Sequence, residues 1–400
     1  MERPLKIVLL AGEESGVLYA ERLRRSLCRA CSKQGTIEFR GYDTEGFRTS
    51  DLAVMGFWPV LRRLFYFLNV AKTMKEVIRA WRPDVVVTID YPGLNLKLAA
   101  YAKSLGIPAV HLVCPQVWAW HQGRIPKVAA ALSKLLCFFP FEPGLFEATD
   151  LEAKFIGHPM VDVFAEEGTA RKSSEEDRLL ALLPGSRLGE IRRNLPRLLK
   201  ALEILERGAA SAKPGARPLQ VVIPAANEKA EGEITRILGA APQLSSREGP
   251  VRLAIQKGGA RDLLRRATCA VVASGTATLE AALARCPTIL VYAVSPLLAW
   301  FARRVIKGVH FIGLANIIWE KSGGRGEAPM PELLQESFTP EAVADRLEGL
   351  LSDGAVRMAA TRRLDETMAL LHSDGDALGL AAQEILSAVK GSAEVVAQEQ

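Results

Sequence analysis

A chain of 400 residues is longer than one hydrophobic core usually supports, so two domains are expected. Its 49% apolar and 24% charged residues describe a globular enzyme and exclude a disordered or fibrous chain. The net charge of +6 favours anionic partners, but no RNP, zinc-finger or helix-turn-helix signature accompanies the arginines, so nucleic acid is not expected among them.

Lys6 to Gly12 reads as a first buried strand, because the apolar run Ile7 to Ala11 is too short for a signal-peptide core. A helix over Ser15 to Ala30 follows, then a strand at Asp84 to Asp90, a helix at Leu94 to Leu105 and a strand at Ala109 to Cys114. The charged, Gly- and Ser-containing stretch Ala165 to Asp177, after the Gly157-His158-Pro159 turn, reads as a linker. Beyond it come a strand at Leu179 to Pro184, a helix at Glu190 to Leu205 and strands at Leu219 to Pro224, Arg252 to Gln256, Cys269 to Ala273 and Thr288 to Val294. The longest uncharged run, Cys286 to Ala302, falls short of the ~20 residues of a membrane span and is interrupted by Pro296. Strands alternating with helices in both halves predict an α/β chain of two Rossmann-like doubly wound domains facing a cleft. The expected domains are residues 1–165, residues 178–345, and C-terminal helices over 346–400 with a disordered tail after about Ser387. Six cysteines are too sparse for a disulfide scaffold, and Cys28 and Cys31 have no second CxxC to complete a zinc site; reduced thiols and a cytoplasmic location fit best.

Two stretches share one architecture. Leu182-Leu183-Pro184-Gly185-Ser186-Arg187 and Ala273-Ser274-Gly275-Thr276-Ala277-Thr278-Leu279-Glu280 each end an apolar strand in small residues and open a helix. Such an end presents unpaired N–H groups and the positive end of the helix dipole, and two of them in one domain can hold a diphosphate. Glu280, about one turn into the second helix, could accept hydrogen bonds from ribose hydroxyls. Either turn alone would more often mean only tight packing, and the pair carries the nucleotide reading.

Asp90 stands where a buried strand ends, the place from which open α/β sheets hold ligands, and could take a proton from an attacking hydroxyl; capping of the next helix is the alternative. Glu13, Ser15 and Gly16 close the first strand in the same way, again with capping as the rival for Ser15. Arg187 could clamp a leaving diphosphate, whereas Arg192 and Arg193 lie farther along the helix and are expected to face solvent. Trp118 and Trp120 could stack on a sugar or belong to the core. His158 lacks companions at metal-ligand spacing, which leaves it a hydrogen-bonding role at a turn. Phe57 to Leu68 and Leu297 to Lys307 join bulky apolar residues to paired cations, a composition suited to an anionic bilayer surface, although such amphipathic stretches more often pack on their own core.

Taken together, these motifs resemble the lipid-A-disaccharide synthase family of glycosyltransferases, which has the GT-B fold. The resemblance runs from Ala11-Gly12-Glu13-Glu14-Ser15-Gly16 through Leu52-Ala53-Val54-Met55-Gly56, Ile89-Asp90, Val117-Trp118-Ala119-Trp120 and Phe155-Ile156-Gly157-His158-Pro159-Met160 to Pro331-Glu332-Leu333-Leu334-Gln335, with both small-residue turns between. It implies transfer of 2,3-diacylglucosamine from its UDP ester to 2,3-diacylglucosamine 1-phosphate, giving a β-1,6-linked disaccharide and UDP. Asp90 then takes the place of the essential aspartate and Arg187 of the essential arginine, with Ser186, Ser274, Gly275, Thr276, Thr278, Glu280 and Asn316 on the UDP side. The resemblance calls for no metal and no cofactor. Its partners are the two lipid substrates and the inner face of the cytoplasmic membrane, and a homodimer is an assembly it allows. The chain departs from the family pattern at Val17, where an aspartate is usual, at Gly93 (an acidic residue), Ala293 (arginine) and Ala315 (proline), and in a shortened segment around Tyr42 to Thr49. The rival readings are a UDP-N-acetylglucosamine epimerase of similar architecture, a glycolipid glycosyltransferase with another acceptor, and a membrane-surface binding protein without catalysis.

Overall fold

The computed structural model describes residues 3–12, 14–32, 35–47, 64–119, 122–168, 178–210, 217–240, 249–295 and 310–398. They fall into two compact units, Met1–Asp162 with Leu371–Gln400, and Val163–Leu370.

The first unit is built on a six-stranded parallel sheet. In chain order its strands are β1 (Leu5–Ala11), β2 (Ile37–Arg40), β3 (Val85–Ile89), β4 (Ala109–Leu112), β5 (Lys134–Cys137) and β6 (Glu152–Phe155), laid side by side as β2-β1-β3-β4-β5-β6. The central strands β3 and β4 are buried on both faces, which explains the unbroken Val85-Val86-Val87 run. The edge strands β2 and β6 alternate in exposure, as half-covered strands do. Helices α1 (Glu14–Cys31), α2 (Leu64–Trp81), α3 (Pro92–Ser104) and α4 (Ile125–Ala131) lie between the strands in sequence. Leu23 and Leu27 of α1 pack with Ile7, Val87 and Ile89 on one face, while Val70, Met74 and Ile78 of α2 pack with Val8, Leu10 and Val86 on the other.

Helix α5 (Pro159–Glu166) carries the chain into the second unit, whose strands are β7 (Leu179–Leu183), β8 (Leu219–Ala225), β9 (Val251–Lys257), β10 (Cys269–Ala273), β11 (Thr288–Tyr292) and β12 (Glu332–Leu334). Their spatial order is β12-β11-β10-β7-β8-β9, all parallel, the order of a Rossmann sheet. The connecting helices are α6 (Leu188–Ala210), α7 (Glu228–Leu238), α8 (Ala260–Arg266), α9 (Thr276–Leu283) and α10 (Leu314–Lys321), followed by α11 (Pro340–Ser352) and α12 (Gly354–Ala369). Leu195, Leu198 and Leu202 of α6 share one core with Val343 and Leu347 of α11.

The final helix α13 (Ala377–Gln398) returns to the first unit, where Leu378, Ala381, Ala382 and Ile385 complete the core around Leu23 and Val87. It runs as helix to Gln398, where the sequence reading places a disordered tail. Buried Lys134 of β5 pins it through Glu384 at 2.6 Å, and Lys154 of β6 reaches the same carboxylate at 2.6 Å.

Each sheet has one place where consecutive connections turn to opposite sides. In the first it is between β1 and β3, and in the second between β7 and β10. Ligands of open α/β sheets bind outside the strand ends at such points.

Candidate active site

In the second unit the strands flanking the switch point, β7 and β10, lead into the two small-residue turns. Gly185 follows β7 at φ 123° and Gly275 follows β10 at φ 142°, a region only glycine enters readily. At Gly185 an added Cβ would stand 2.6 Å from the Glu190 side chain, whereas at Gly275 it would meet only open space. Both glycines line one cavity of about 280 Å³, with Ser186, Ser274, Thr276, Ala277 and Glu280 among its walls. Pro224, Ala225 and Gly258 close it from the ends of β8 and β9. The start of α9 faces this space with backbone N–H groups that have no intrahelical partner. Thr278 is buried and spends its hydroxyl on the Gly275 carbonyl at 2.8 Å, so it shapes the turn from behind.

Glu280 is mostly buried, and that burial pushes its carboxyl above the ordinary range, while Arg261, 3.5 Å away, opposes the shift and Glu167 adds to it. Arg187 stands exposed beside Glu190, with its Nη1 3.2 Å from that carboxylate. Beneath the first turn, wholly buried Asn194 donates to the Pro184 carbonyl at 2.9 Å. One sequence expectation changes here, that for Arg193, while the one for Arg192 holds. Arg193 does not face solvent but donates to the Ala293 carbonyl at 3.1 Å, while Arg192 is exposed yet tied to Glu233 at 3.0 Å. Asn316 is wholly buried and is not among the cavity's lining residues. Its amide nitrogen donates to Met330 O at 2.7 Å and Glu332 Oε1 at 2.8 Å, and its oxygen accepts from Met330 N at 2.9 Å.

In the first unit the switch point brings the ends of β1 and β3 together, and Asp90 follows β3 directly. Asp90 and Tyr91 have φ of 50° and 51°, so two non-glycine residues in succession are left-handed. Asp90 does not cap the next helix: the N-cap of α3 is Tyr91, which makes no side-chain cap bond. The Asp90 Oδ1 accepts the Tyr91 N–H at 2.8 Å. Burial holds its pKa above the ordinary aspartate value, with that N–H pulling the other way. At Gly16 an added Cβ would meet Ala11 and Ile89 at 3.6–3.7 Å, an ordinary contact distance, so packing alone does not require glycine there. Ser15 lies in the first turn of α1, whereas Glu13 is outside the described residues.

Trp118 resolves as core: it is buried and packs edge-on against Phe141 with centroids 5.8 Å apart. Trp120 and the stretch Leu297 to Lys307 lie outside the described residues, as does Phe57 to Arg63 of the other apolar-basic stretch. His158 is fully buried between Phe138 and Phe139, and burial lowers its pKa to about 3. Its Nδ1 accepts the Met160 N–H at 3.1 Å, the hydrogen-bonding role expected at this turn. Sequence reading missed a buried cluster in which Cys114, Cys137 and Glu142 bring their sulfur and oxygen atoms within 4.8 Å of one another.

The lipid-A-disaccharide synthetase family profile matches residues 7–378. Over 393 residues the chain is 34% identical to a lipid-A-disaccharide synthase of Myxococcus xanthus, covering 94% of this chain and 96% of that one. Over 384 residues it is 34% identical to one of Klebsiella pneumoniae, covering 93% and 94%. Among solved structures, a putative UDP-N-acetylglucosamine 2-epimerase from Listeria monocytogenes superposes with a TM-score of 0.57 at 16% identity, covering 97% of this chain and 96% of that one. Acinetobacter baumannii MurG does so with 0.55 at 14%, covering 96% and 100%. At these identities the structures share the fold alone.

Proposed function

The chain belongs to the lipid-A-disaccharide synthetase family, and from that premise we propose how its residues divide the chemistry of the transfer. The enzyme is an inverting glycosyltransferase that moves 2,3-diacylglucosamine from its UDP ester to 2,3-diacylglucosamine 1-phosphate and releases UDP. The donor's UDP group belongs to the second unit. Its diphosphate lies against the turns at Ser186 and at Ser274 to Thr276, where N–H groups and helix dipoles meet charge already fixed in place, and Glu280 takes the ribose hydroxyls. The observation that carries this assignment is the pair of glycine turns lining one cavity at the sheet's switch point. Asn316 serves indirectly by fixing Glu332 and the start of α10, and Arg187 supplies an exposed positive charge for the departing diphosphate.

Asp90 is the general base. It accepts the proton of the acceptor's 6-hydroxyl as that oxygen attacks the anomeric carbon and the bond to the diphosphate breaks. A carboxylate whose pKa is raised by burial is a better proton acceptor near neutral pH than an ordinary aspartate. Ser15 and Gly16, in the first turn of α1 directly after β1, border the same switch point, and together with Glu13, their neighbour in sequence, they are assigned to the acceptor side.

Both substrates are lipids, which favours work at a membrane surface. No helix among the described residues is long and apolar enough to cross a membrane. The start of α2 offers an alternative, because Phe65 is 85% and Leu68 56% exposed, with exposed Lys72 one further turn along the same face. This edge is assigned to the inner face of the cytoplasmic membrane. Incubation of the protein with both lipid substrates in detergent, followed by mass spectrometry, tests the reading. Disaccharide with matching UDP is expected; UDP without disaccharide, or epimerised sugar nucleotide formed without acceptor, would refute it.

A further inference from the structure

The turn that presents Asp90 is held in an unfavourable shape. Left-handed φ is unfavourable at a residue other than glycine, and here two such residues are adjacent. A conformation of this kind persists only where its surroundings determine it, and three contacts do so. The Asn95 amide nitrogen donates to Asp90 O at 2.7 Å, to Ile89 O at 3.1 Å and to Leu10 O at 3.3 Å, tying the ends of β1 and β3 to the turn. The Tyr91 ring fills the space over Gly12, where a Cβ would stand 2.6 Å from it. The Tyr42 hydroxyl donates to Asn95 Oδ1 at 2.6 Å.

Asn95 is wholly buried and Tyr42 nearly so, so water does not substitute for these bonds. The phenol also decides which way the amide points. With Oδ1 on the Tyr42 hydroxyl, the nitrogen faces three carbonyl oxygens; the opposite orientation would set oxygen against all three.

We propose that Asn95 is the positioning residue for the Asp90 carboxylate and that Tyr42 sets the Asn95 amide in its working orientation. Neither touches substrate; both act through Asp90, so the inference rests on Asp90 being the base. The test is the kcat and the KM for both lipid substrates, with UDP affinity, in Tyr42→Phe, Asn95→Ala, Asp90→Asn and the Tyr42→Phe/Asp90→Asn pair. Misplacing a reacting group by about 1 Å can cost about a hundredfold in rate. Asn95→Ala is accordingly expected to lower kcat by about a hundredfold and Tyr42→Phe by about tenfold, while each KM and the UDP affinity stay within about twofold. Tyr42→Phe should take nothing more from the residual turnover of Asp90→Asn, because a residue acting through Asp90 has nothing left to position. If Asn95→Ala does not fold, Tyr42→Phe, which removes a single oxygen, decides the matter. Unchanged kcat in Tyr42→Phe, or the same fractional loss with and without Asp90, would overturn the proposal. Wild-type kcat in Asp90→Asn would instead refute the base assignment itself.

Discussion

Asp90 and Glu142 are both carboxyls pushed up by burial, and they put that burial to different uses. Asp90 is half-buried at a strand end, where part of its side chain stays open to solvent. Since only its ionised form accepts a proton, kcat should fall as pH drops through its raised pKa, which places the acid limb above the ordinary aspartate value of about 3.9. A pH–rate profile checks this, and Asp90→Asn should abolish the limb together with most of the rate. Glu142 is sealed inside, where burial raises it to about 8 against the opposing Phe139 N–H. Its folded-state pKa lies above its unfolded one, so the folded protein holds the extra proton. Stability is therefore full below about pH 4.5 and declines by about 1.4 kcal/mol per pH unit until pH passes about 8. Glu142→Gln should remove that slope, with urea melts at pH 5 and pH 8 as the check; an unchanged slope would contradict it. Asp90 was legible from the sequence because a buried Val-rich run ends on it. Glu142 was not, since its partners, Cys114 and Cys137, converge only once β4 and β5 pair.

At the level of elements, the two glycine turns differ in a way that can be measured. Gly185→Ala meets both an unfavourable φ and the Glu190 side chain, whereas Gly275→Ala meets only the unfavourable φ. Each should weaken UDP binding, because the N–H groups of its turn move. Gly185→Ala should also cost more stability, on the order of 1–3 kcal/mol. Calorimetry with UDP and thermal melts of both variants provide the comparison, and an unperturbed UDP affinity in both would remove the turns from the donor site. The turns were readable because apolar runs of strand length end there in small residues. The strands that escaped sequence reading are β2, β5, β6 and β12. Ile37-Glu-Phe-Arg40 and Glu152-Ala-Lys-Phe155 are edge strands whose polar alternation resembles a loop, and β12 is only three residues long. The setting of Arg193 escaped for another reason, as did the bonds made by Asn316, because their partners, Ala293, Met330 and Glu332, are set by tertiary packing.

For the whole molecule, the doubly wound architecture in both halves was visible from strand and helix alternation, but the home of the last helix was not. α11 and α12 belong to the second unit and α13 to the first, although all three follow one another in sequence. An amphipathic pattern states that a face is buried and not which sheet buries it. Fully burying Leu378 and Ile385 contributes about 1.5–3 kcal/mol each, a large share of the 5–15 kcal/mol by which domains are stable. Deleting residues 371–400 should therefore unfold the first unit while leaving a UDP-stabilised melting transition from the second. A single intact transition would contradict this division. The central claim assigns proton abstraction to the first unit and the grip on UDP to the second, and turnover of Asp90→Asn measured beside its UDP affinity tests it most directly. The account predicts a fall in kcat of about a hundredfold or more with UDP affinity unchanged. Wild-type turnover, or a loss of UDP binding that accounts for the lost rate, would contradict it.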